Sequence, residues 1–121
     1  MKIENIKFKA KRLDGKGWAI GDLLHSYENG AIIVPIEGGG AFSVDPSSVC
    51  QFTGLKDEDE NDIFEGDLLA EKRFPMYEVG YVNSEFAASY IGENTFIFKL
   101  PALSKDCVVC GSIYDRKEGE K

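Results

Sequence analysis

The 121-residue sequence lacks any long hydrophobic run, and this absence sets its first limit. The longest apolar stretch, residues 31–34, ends at Pro35. Because a helix needs about 20 apolar residues to cross a bilayer, the sequence predicts no membrane span. The chain also opens on charged residues instead of an apolar segment, so we expect no secretory signal and a cytoplasmic location.

Cysteine and histidine are scarce, with three cysteines and one histidine. An odd cysteine count without an export signal favours a reducing compartment. Cys107 and Cys110 have the CxxC spacing of a redox or zinc site, but an offset of three in a β-prone run puts two side chains on opposite faces. Zinc would need two more ligands, and only Cys50 and His25 remain. We therefore predict no metal, no cofactor and buried apolar cysteines.

Enzyme motifs are missing as well. Any Ser-His-Asp or Cys-His chemistry must use His25, and the sequence has no Gly-x-Ser-x-Gly elbow. The position of His25 after two leucines favours a partly buried structural histidine. The glycines at 38–40 are not followed by Gly-Lys-Ser/Thr, so they predict a hairpin turn and not a phosphate loop. We predict no catalytic residues and no enzymatic activity.

Acidic residues outnumber basic ones, 21 against 14, which gives a net charge of -7. This balance opposes binding to nucleic acid through the phosphate backbone. The charge is uneven, because residues 1–13 have five basic residues and one acidic residue, whereas residues 57–67 have seven acidic residues and no basic one. The two segments either attract each other, within one molecule or between copies, or are two solvated surfaces.

The acidic segment is similar to the start of a calcium-binding loop. Asp57, Asp59 and Asn61 match the first three ligand positions of an EF-hand. The sixth position, however, is Asp62 where glycine is needed, and the twelfth is Leu68 where glutamate is needed. A hydrophilic loop is favoured, and a loosely bound divalent cation stays open.

The dominant hydrophobic period is two, which indicates strands. Apolar and basic residues alternate over residues 6–11, and glycine-rich or Asp-Pro turn signals separate the later strands. The further strands are predicted at residues 18–20, 23–27, 31–36, 41–44, 49–52, 68–71, 77–83, 86–91, 95–100 and 107–114. The sequence therefore predicts a mainly β fold with at most one or two short helical turns, the best at 101–105, and a flexible tail at 116–121.

One tetrapeptide, Gly-Asp-Leu-Leu, occurs at residues 21–24 and again at 66–69. Glycine tolerates positive φ and aspartate bonds nearby amides, so we predict that each copy makes a tight turn before a buried strand. This echo raises the hypothesis of a duplicated barrel-like unit, with sub-units at about 1–55 and 56–115 that share one core.

Four segments together resemble the YopX family of bacteriophages and prophage-like elements. They read I-K-F-K-A at 6–10, W-A-I-G-D-L-L at 18–24, Q-F-T-G-L-K-D at 51–57 with E-G-D at 65–67, and V-V-C-G-S-I-Y at 108–114. The resemblance covers residues 6–115 and implies one YopX-like domain with SH3-like barrel or roll elements that self-associates. It implies no activity and supplies no catalytic or binding residue.

Within the strongest segment we predict a structural turn network that orients the strand at Leu68: Thr53, Gly54, Asp57, Glu65, Gly66 and Asp67. The first functional hypothesis is a non-enzymatic phage or prophage accessory protein in the bacterial cytoplasm, which binds copies of itself and an unidentified host or phage protein. The alternative is a small-barrel protein that binds nucleic acid through Lys7, Lys9 and Lys11. An enzyme ranks third.

Overall fold

A computed structural model describes residues 2–28 and 30–115, so the flexible tail predicted at 116–121 lies outside the described residues. The fold is mainly β, with 53% of the described residues in the strands of two antiparallel sheets, which confirms the predicted fold class. The single helix described, α1 (Leu100–Ser104), is one turn at the predicted place. Two 3-10 turns lie at Ile3–Asn5 and Pro46–Ser48. The SH3-like barrel elements stay a prediction.

The strands within the described residues alternate with short turns, as the sequence period requires. They are β1 (Phe8–Lys11), β2 (Trp18–Ser26), β3 (Gly30–Pro35), β4 (Phe42–Ser43), β5 (Cys50–Lys56), β6 (Asp62–Phe64), β7 (Asp67–Glu71), β8 (Phe74–Val82), β9 (Glu85–Tyr90), β10 (Phe98–Lys99) and β11 (Val108–Ser112).

The chain divides into two compact units, the first ending at Phe52 and the second beginning at Thr53. In the first unit the strands lie in the order β4-β3-β2-β1-β5. Strand β5 continues into the second unit, where β6 is its neighbour. The other strands of the second unit lie in the order β10-β9-β8-β7-β11. The sub-unit bounds and the shared core expected from the sequence stay predictions.

Both units use the same connectivity. In each, four strands follow one another as an antiparallel meander, a helical turn comes next, and a fifth strand pairs antiparallel with the first, as β5 does with β1 and β11 with β7. The Gly-Asp-Leu-Leu echo does not mark equivalent places in this repeat. Its first copy lies in the second strand of its unit, whereas its second copy begins the first strand.

The first copy also corrects a prediction, because residues 21–22 do not turn. Strand β2 runs unbroken through Gly21, which pairs with Phe8 on one side and Pro35 on the other. A Cβ atom at Gly21 would lie 2.1 Å from the carbonyl oxygen of Val34, so glycine is needed for close backbone approach and not for a turn. No strand was predicted at the position of β6, and β10 covers only two residues of the strand predicted at 95–100.

Each unit has its own buried cluster, and the two clusters differ in side-chain size. In the first unit three alanines lie among the buried members, which are Ala10, Ala19, Ala31, Ile33 and Val44. In the second unit the cluster is larger: Ile63, Leu69, Tyr77, Val79, Ala88, Leu100 and Cys107. Along β2, alternation puts Ala19 on the core side and Trp18 and Ile20 on the opposite face of the sheet.

Candidate interaction surface

The three lysines predicted as an interaction surface share one face of the first unit. On β1, Ala10 is fully buried and Phe8 packs on the first cluster, so the alternating side chains of Lys9 and Lys11 point to the other face. Across the strand pair, Lys9 lies opposite Ile20 and Lys11 opposite Trp18. We call Lys7, Lys9 and Lys11 the lysine row.

Aromatic rings hold the lysine row close to the sheet. The Nζ atom of Lys7 lies 4.6 Å from the ring centre of Phe52, and those of Lys9 and Lys11 lie 4.5 and 5.2 Å from the ring of Trp18. Cation–π contacts at accessible sites contribute about 0.5–1 kcal/mol each. The lysines are half-buried, so their aliphatic stems cover the rings.

The main chain of β1 is fixed at both ends of the row. The amide N–H of Lys11 donates to the hydroxyl oxygen of Ser48 at 2.8 Å, and the carbonyl oxygen of Lys11 accepts from the amide of Asp45 at 2.9 Å. At the other end, the amide of Phe52 donates to the carbonyl of Lys7 at 2.9 Å. The lysine row therefore lies on a rigid element, which is where a preorganised binding surface is expected.

Arg12 does not extend the row. Its guanidinium lies 4.1 Å from the ring centre of Phe42 and donates to the carboxylate of Asp14. That hydrogen bond, together with one from the amide of Lys16, holds the pKa of Asp14 below its usual value. The positive charge of Arg12 is thus used within the turn that follows β1.

An exposed apolar strip lies beside the lysine row on the same face. Ile20 is 48% exposed, Leu24 is 53% exposed and Ile36 is 62% exposed. Ile20 and Ile36 line a shallow depression of about 390 Å³ together with Lys7, Pro35 and Glu37. We call Ile20, Leu24 and Ile36 the outer strip. Sequence reasoning missed it, although small residues at 19 and 21 beside large ones at 18, 20 and 24 signal which side of β2 is open.

The predicted turn residues lie in and around β5, β6 and β7, and the side chain of Thr53 connects two of these strands. The hydroxyl of Thr53 donates to the carbonyl of Ile63 at 2.7 Å and accepts from the amide of Leu55 at 3.2 Å. Gly54 has a φ of 87°, in the region that favours glycine. This arrangement joins β5 to β6 through a side chain.

Asp57 is a buried carboxylate that the backbone surrounds. Its Oδ1 atom accepts from the amides of Asp59 and Asn61, both at 2.8 Å, and its Oδ2 atom accepts from the amide of Val109 at 2.8 Å. Charged acceptors make hydrogen bonds about twice as strong as neutral ones. The Asp57 side chain thus shapes the acidic loop and ties it to the start of β11, a use that leaves few lone pairs for a cation.

Glu65, Gly66 and Asp67 form the turn between β6 and β7. The amide of Gly66 donates to Val79 at 2.8 Å with a φ of 85°, and Asp67, which is fully buried, accepts from the amide of Phe64 at 2.8 Å. The structural role assigned to these residues stays a prediction, and stability measurements on variants will test it. Among residues 2–28 and 30–115, no three His, Cys, Asp or Glu side chains come together to hold a metal ion.

The cysteines differ from the prediction at one position. Cys50 and Cys107 are buried, but Cys110 is exposed. The pairing of β11 with β7 shifts between Val109 and Gly111, so Cys110 is the extra residue of a β-bulge and turns outward. Cys107 precedes β11, and burial raises its pKa to about 11, which disfavours the reactive thiolate.

His25 also departs from its prediction, because it is exposed and not partly buried. It lies near the turn of the β2–β3 hairpin, opposite Ala31. With Ser26 and Tyr27 it lines an open depression of about 270 Å³. Among the described residues, no carboxylate lines this depression.

No helix in the described part of the chain is both long enough and apolar enough to cross a membrane.

Comparison with known proteins identifies a family for the chain. No curated protein matches the chain. The family model described as YopX protein matches residues 7–118, which is nearly the whole sequence. The match includes the lysine row, the turn residues and most of each unit. With this match added to the motifs at 6–10, 51–57 and 65–67, the chain belongs to the YopX family.

Proposed function

We propose that this YopX-family protein is a non-enzymatic phage or prophage accessory protein, which acts in the bacterial cytoplasm by binding other proteins, copies of itself included. The observation that carries the proposal is the lysine row beside the exposed outer strip on one rigid sheet face. Exposed apolar residues next to ordered charge are characteristic of protein interaction surfaces. The partner other than itself is a host or phage protein of unknown identity.

The distribution of charge supports the same proposal. Up to Phe52 the sequence has six basic and six acidic residues, which sum to zero, whereas from Thr53 onward it has eight basic and fifteen acidic residues, which sum to -7. A unit without net charge has lower self-repulsion than the acidic unit. Association through the first unit is therefore the electrostatically favoured mode.

Light scattering on a concentration series of the full chain, at low and at high salt, tests the proposal. We expect a mass above that of the 13.4 kDa monomer that grows with concentration and falls with salt, because salt screens the charged contacts. A strict monomer at every concentration and at both salt levels would contradict self-association.

Nucleic-acid binding is the second candidate function, favoured by the contact of Lys9 and Lys11 with Trp18. Interleaved lysines and aromatic rings are how sequence-independent single-strand binders hold the backbone and stack bases. Trp18 is the only tryptophan of the chain, so its fluorescence reports directly on this face.

Titration with single-stranded DNA and RNA separates the two functions. Binding here would quench Trp18 and weaken steeply with salt, and the K9Q/K11Q variant would lose most of the effect. The matched control is K72Q/K105Q, which removes two exposed lysines of the second unit. Unchanged Trp18 fluorescence at low salt would exclude this function.

A further inference from the structure

We propose that Asp57 and Asp115 are edge caps of the second unit, whose carboxylates bind outward amides of β11 and so prevent this strand from pairing with β11 of a second copy. This closed edge is separate from the surface proposed above for self-association. Its one occupant, when the caps are removed, is the same strand of another molecule.

Strand β11 is the edge strand of its sheet. Among the described residues it lies at the end of the order β10-β9-β8-β7-β11, so β7 is its one strand neighbour. The outer side of an edge strand presents backbone amides and carbonyls that can pair with a strand from another molecule. Folded proteins close such edges with charged side chains, bulges or covering loops.

The sequence of β11 and its flanks favours such pairing. Residues 107–114, which read C-V-V-C-G-S-I-Y, contain neither a charged residue nor a proline. Four of the eight are Val, Ile or Tyr, which favour strands. An uncharged, proline-free segment with high β-propensity is typical of sequences that pair between chains. The nearest charges in the sequence are the two flanking residues, Asp106 and Asp115.

Asp57 caps the first half of the edge. The amide N–H of Val109 points away from β7 and donates to Oδ2 of Asp57 at 2.8 Å. Next to it, the amide of Glu58 donates to the carbonyl of Cys107 at 3.0 Å, so the acidic loop covers a carbonyl as well. Asp57 is only 3% exposed. An incoming strand would therefore bring a carbonyl oxygen against a buried carboxylate, and displacing that carboxylate costs a charged hydrogen bond.

Asp115 caps the other half. The amide of Ser112 donates to Oδ2 of Asp115 at 2.8 Å, and the amide of Asp115 donates to the carbonyl of Ser112 at 3.1 Å. Between the two caps, Cys110 is the extra residue of the bulge, which disturbs the regular ladder that a second strand needs. Near each end of β11, an amide is thus bonded to an aspartate of the same chain.

The identity of the two edges determines the occupant. Two β11 strands can pair antiparallel about a two-fold axis, because each then offers the other the same donors and acceptors. Residues 107–114 bring no like charges together in that arrangement, since none of them is charged. The carboxylates of the edge caps are the groups that oppose it.

The test is sedimentation of the full chain in reducing buffer, which keeps the exposed thiol of Cys110 from forming disulfides. The cap variant is Asp57→Asn/Asp115→Ala. Asparagine keeps one oxygen for the amides of the acidic loop, but its NH2 group offers Val109 no acceptor. We expect the weight-average mass of the cap variant to exceed that of the wild type at least about twofold at the same concentration.

Circular dichroism checks that the cap variant is folded. If it is not, Asp115→Ala alone is the test, because this side chain is exposed and lies outside the buried part of the loop. It frees one of the two amides, so its mass should rise in the same direction by a smaller amount.

Two controls separate the caps from net charge and solubility. Asp59→Asn/Glu60→Gln also removes two negative charges, but from exposed side chains of the acidic loop, and should sediment like the wild type. Cys110→Lys, added to the cap variant, puts a positive charge into the edge of both copies and should reverse the association. Ile91→Lys, at a 43% exposed position after β9, should not.

Larger species in the cap variant that Cys110→Lys reverses and Ile91→Lys does not reverse support the proposal. A folded variant with the mass of the wild type overturns it. So does an equal increase in the Asp59→Asn/Glu60→Gln control, or an increase that Cys110→Lys leaves in place. Because each variant is compared with the wild type, a monomeric wild-type chain would overturn only the self-association proposed above.

Discussion

The two Gly-Asp-Leu-Leu segments have identical residues in different structures. At residues 21–24 the segment lies inside β2, where Gly21 permits close backbone approach and Asp22 is exposed. At residues 66–69 it forms a turn and starts β7, where Gly66 has positive φ and Asp67 is fully buried. The difference teaches that strand pairing, and not the local sequence, decides which property of each residue is used.

The largest expected difference between the two copies is at the aspartate. Asp67→Ala leaves the buried amide of Phe64 without its carboxylate acceptor, and we expect the free energy of unfolding to fall by about 3 kcal/mol. Asp22→Ala, at an exposed position, should change it by less than about 0.5 kcal/mol. Urea unfolding at a dilution where the chain is monomeric gives both values. Equal losses would show that burial does not separate the two copies.

Gly21→Ala should rank next. Its Cβ atom would lie 2.1 Å from the oxygen of Val34 and 2.7 Å from the Cα atom of Pro35, and both are backbone atoms, so β3 has to move. We expect a loss of about 2–3 kcal/mol from overpacking. Gly21→Asn should be at least as harmful, since the obstacle is space. Urea unfolding of both variants measures this, and stability near wild type would mean that the strands are not as close as the structure shows.

Gly66→Ala should cost less, about 1–2 kcal/mol, because its obstacle is a φ of 85° and a ring atom of Tyr114 at 3.0 Å. Asparagine adopts positive φ more readily than alanine, so Gly66→Asn should retain more stability than Gly66→Ala. Asparagine is therefore expected to be less harmful than alanine at Gly66. At Gly21 it is expected to be at least as harmful as alanine. Thermal unfolding of all four variants checks the ranking, and a common order would refute the distinction.

The remaining expected effect is absent at neutral pH and is an alkaline pH dependence of the strand that begins in the second copy. Leu24 pairs with Ile32 in the first unit, whereas the equivalent Leu69 pairs with Tyr77. Burial and the hydrogen bond to Glu71 raise the pKa of Tyr77 from 10.0 to about 12. The folded state thus holds this proton more tightly than the unfolded state. The stabilisation that this proton provides is fully present below pH 10. It is lost as the pH rises from 10 towards 12.

Tyr77→Phe isolates this contribution. The variant keeps the ring but has no proton to lose, so its unfolding free energy should decline less between pH 10 and 12 than that of the wild type. The difference between the two proteins is the required quantity, because the buried thiol of Cys107 adds its own loss above pH 9. Parallel pH profiles for the two proteins would contradict a buried, proton-retaining Tyr77.

Much of the fold was predictable because the alternation of side chains along β1, β3, β8 and β9 is local information. The boundaries that failed depend on long-range pairing. From the local sequence, Gly21 predicts a turn, and only its pairing with β1 and β3 shows that it lies within a strand. Strand β6 has only three residues and follows an acidic loop. Propensity alone does not identify a strand of that length.

The candidate surface was predictable in part for the same reason. Alternation placed Lys7, Lys9 and Lys11 together, and the structure keeps them on one face. The contribution of Ile20 and Ile36 depends on which side of β2 the alanine-rich core covers, and that follows from the register of three strands. The bulge at Cys110 likewise depends on pairing with β7.

The pairing of the last strand with the first has a consequence for synthesis on the ribosome. The first unit has all of its strands once residue 56 has emerged, whereas the second lacks a partner for one side of β7 until β11 at Val108–Ser112 is made. During that interval β7 presents an unpaired backbone edge, which is a template for aggregation between nascent chains. Premature termination before residue 108 would make that edge permanent.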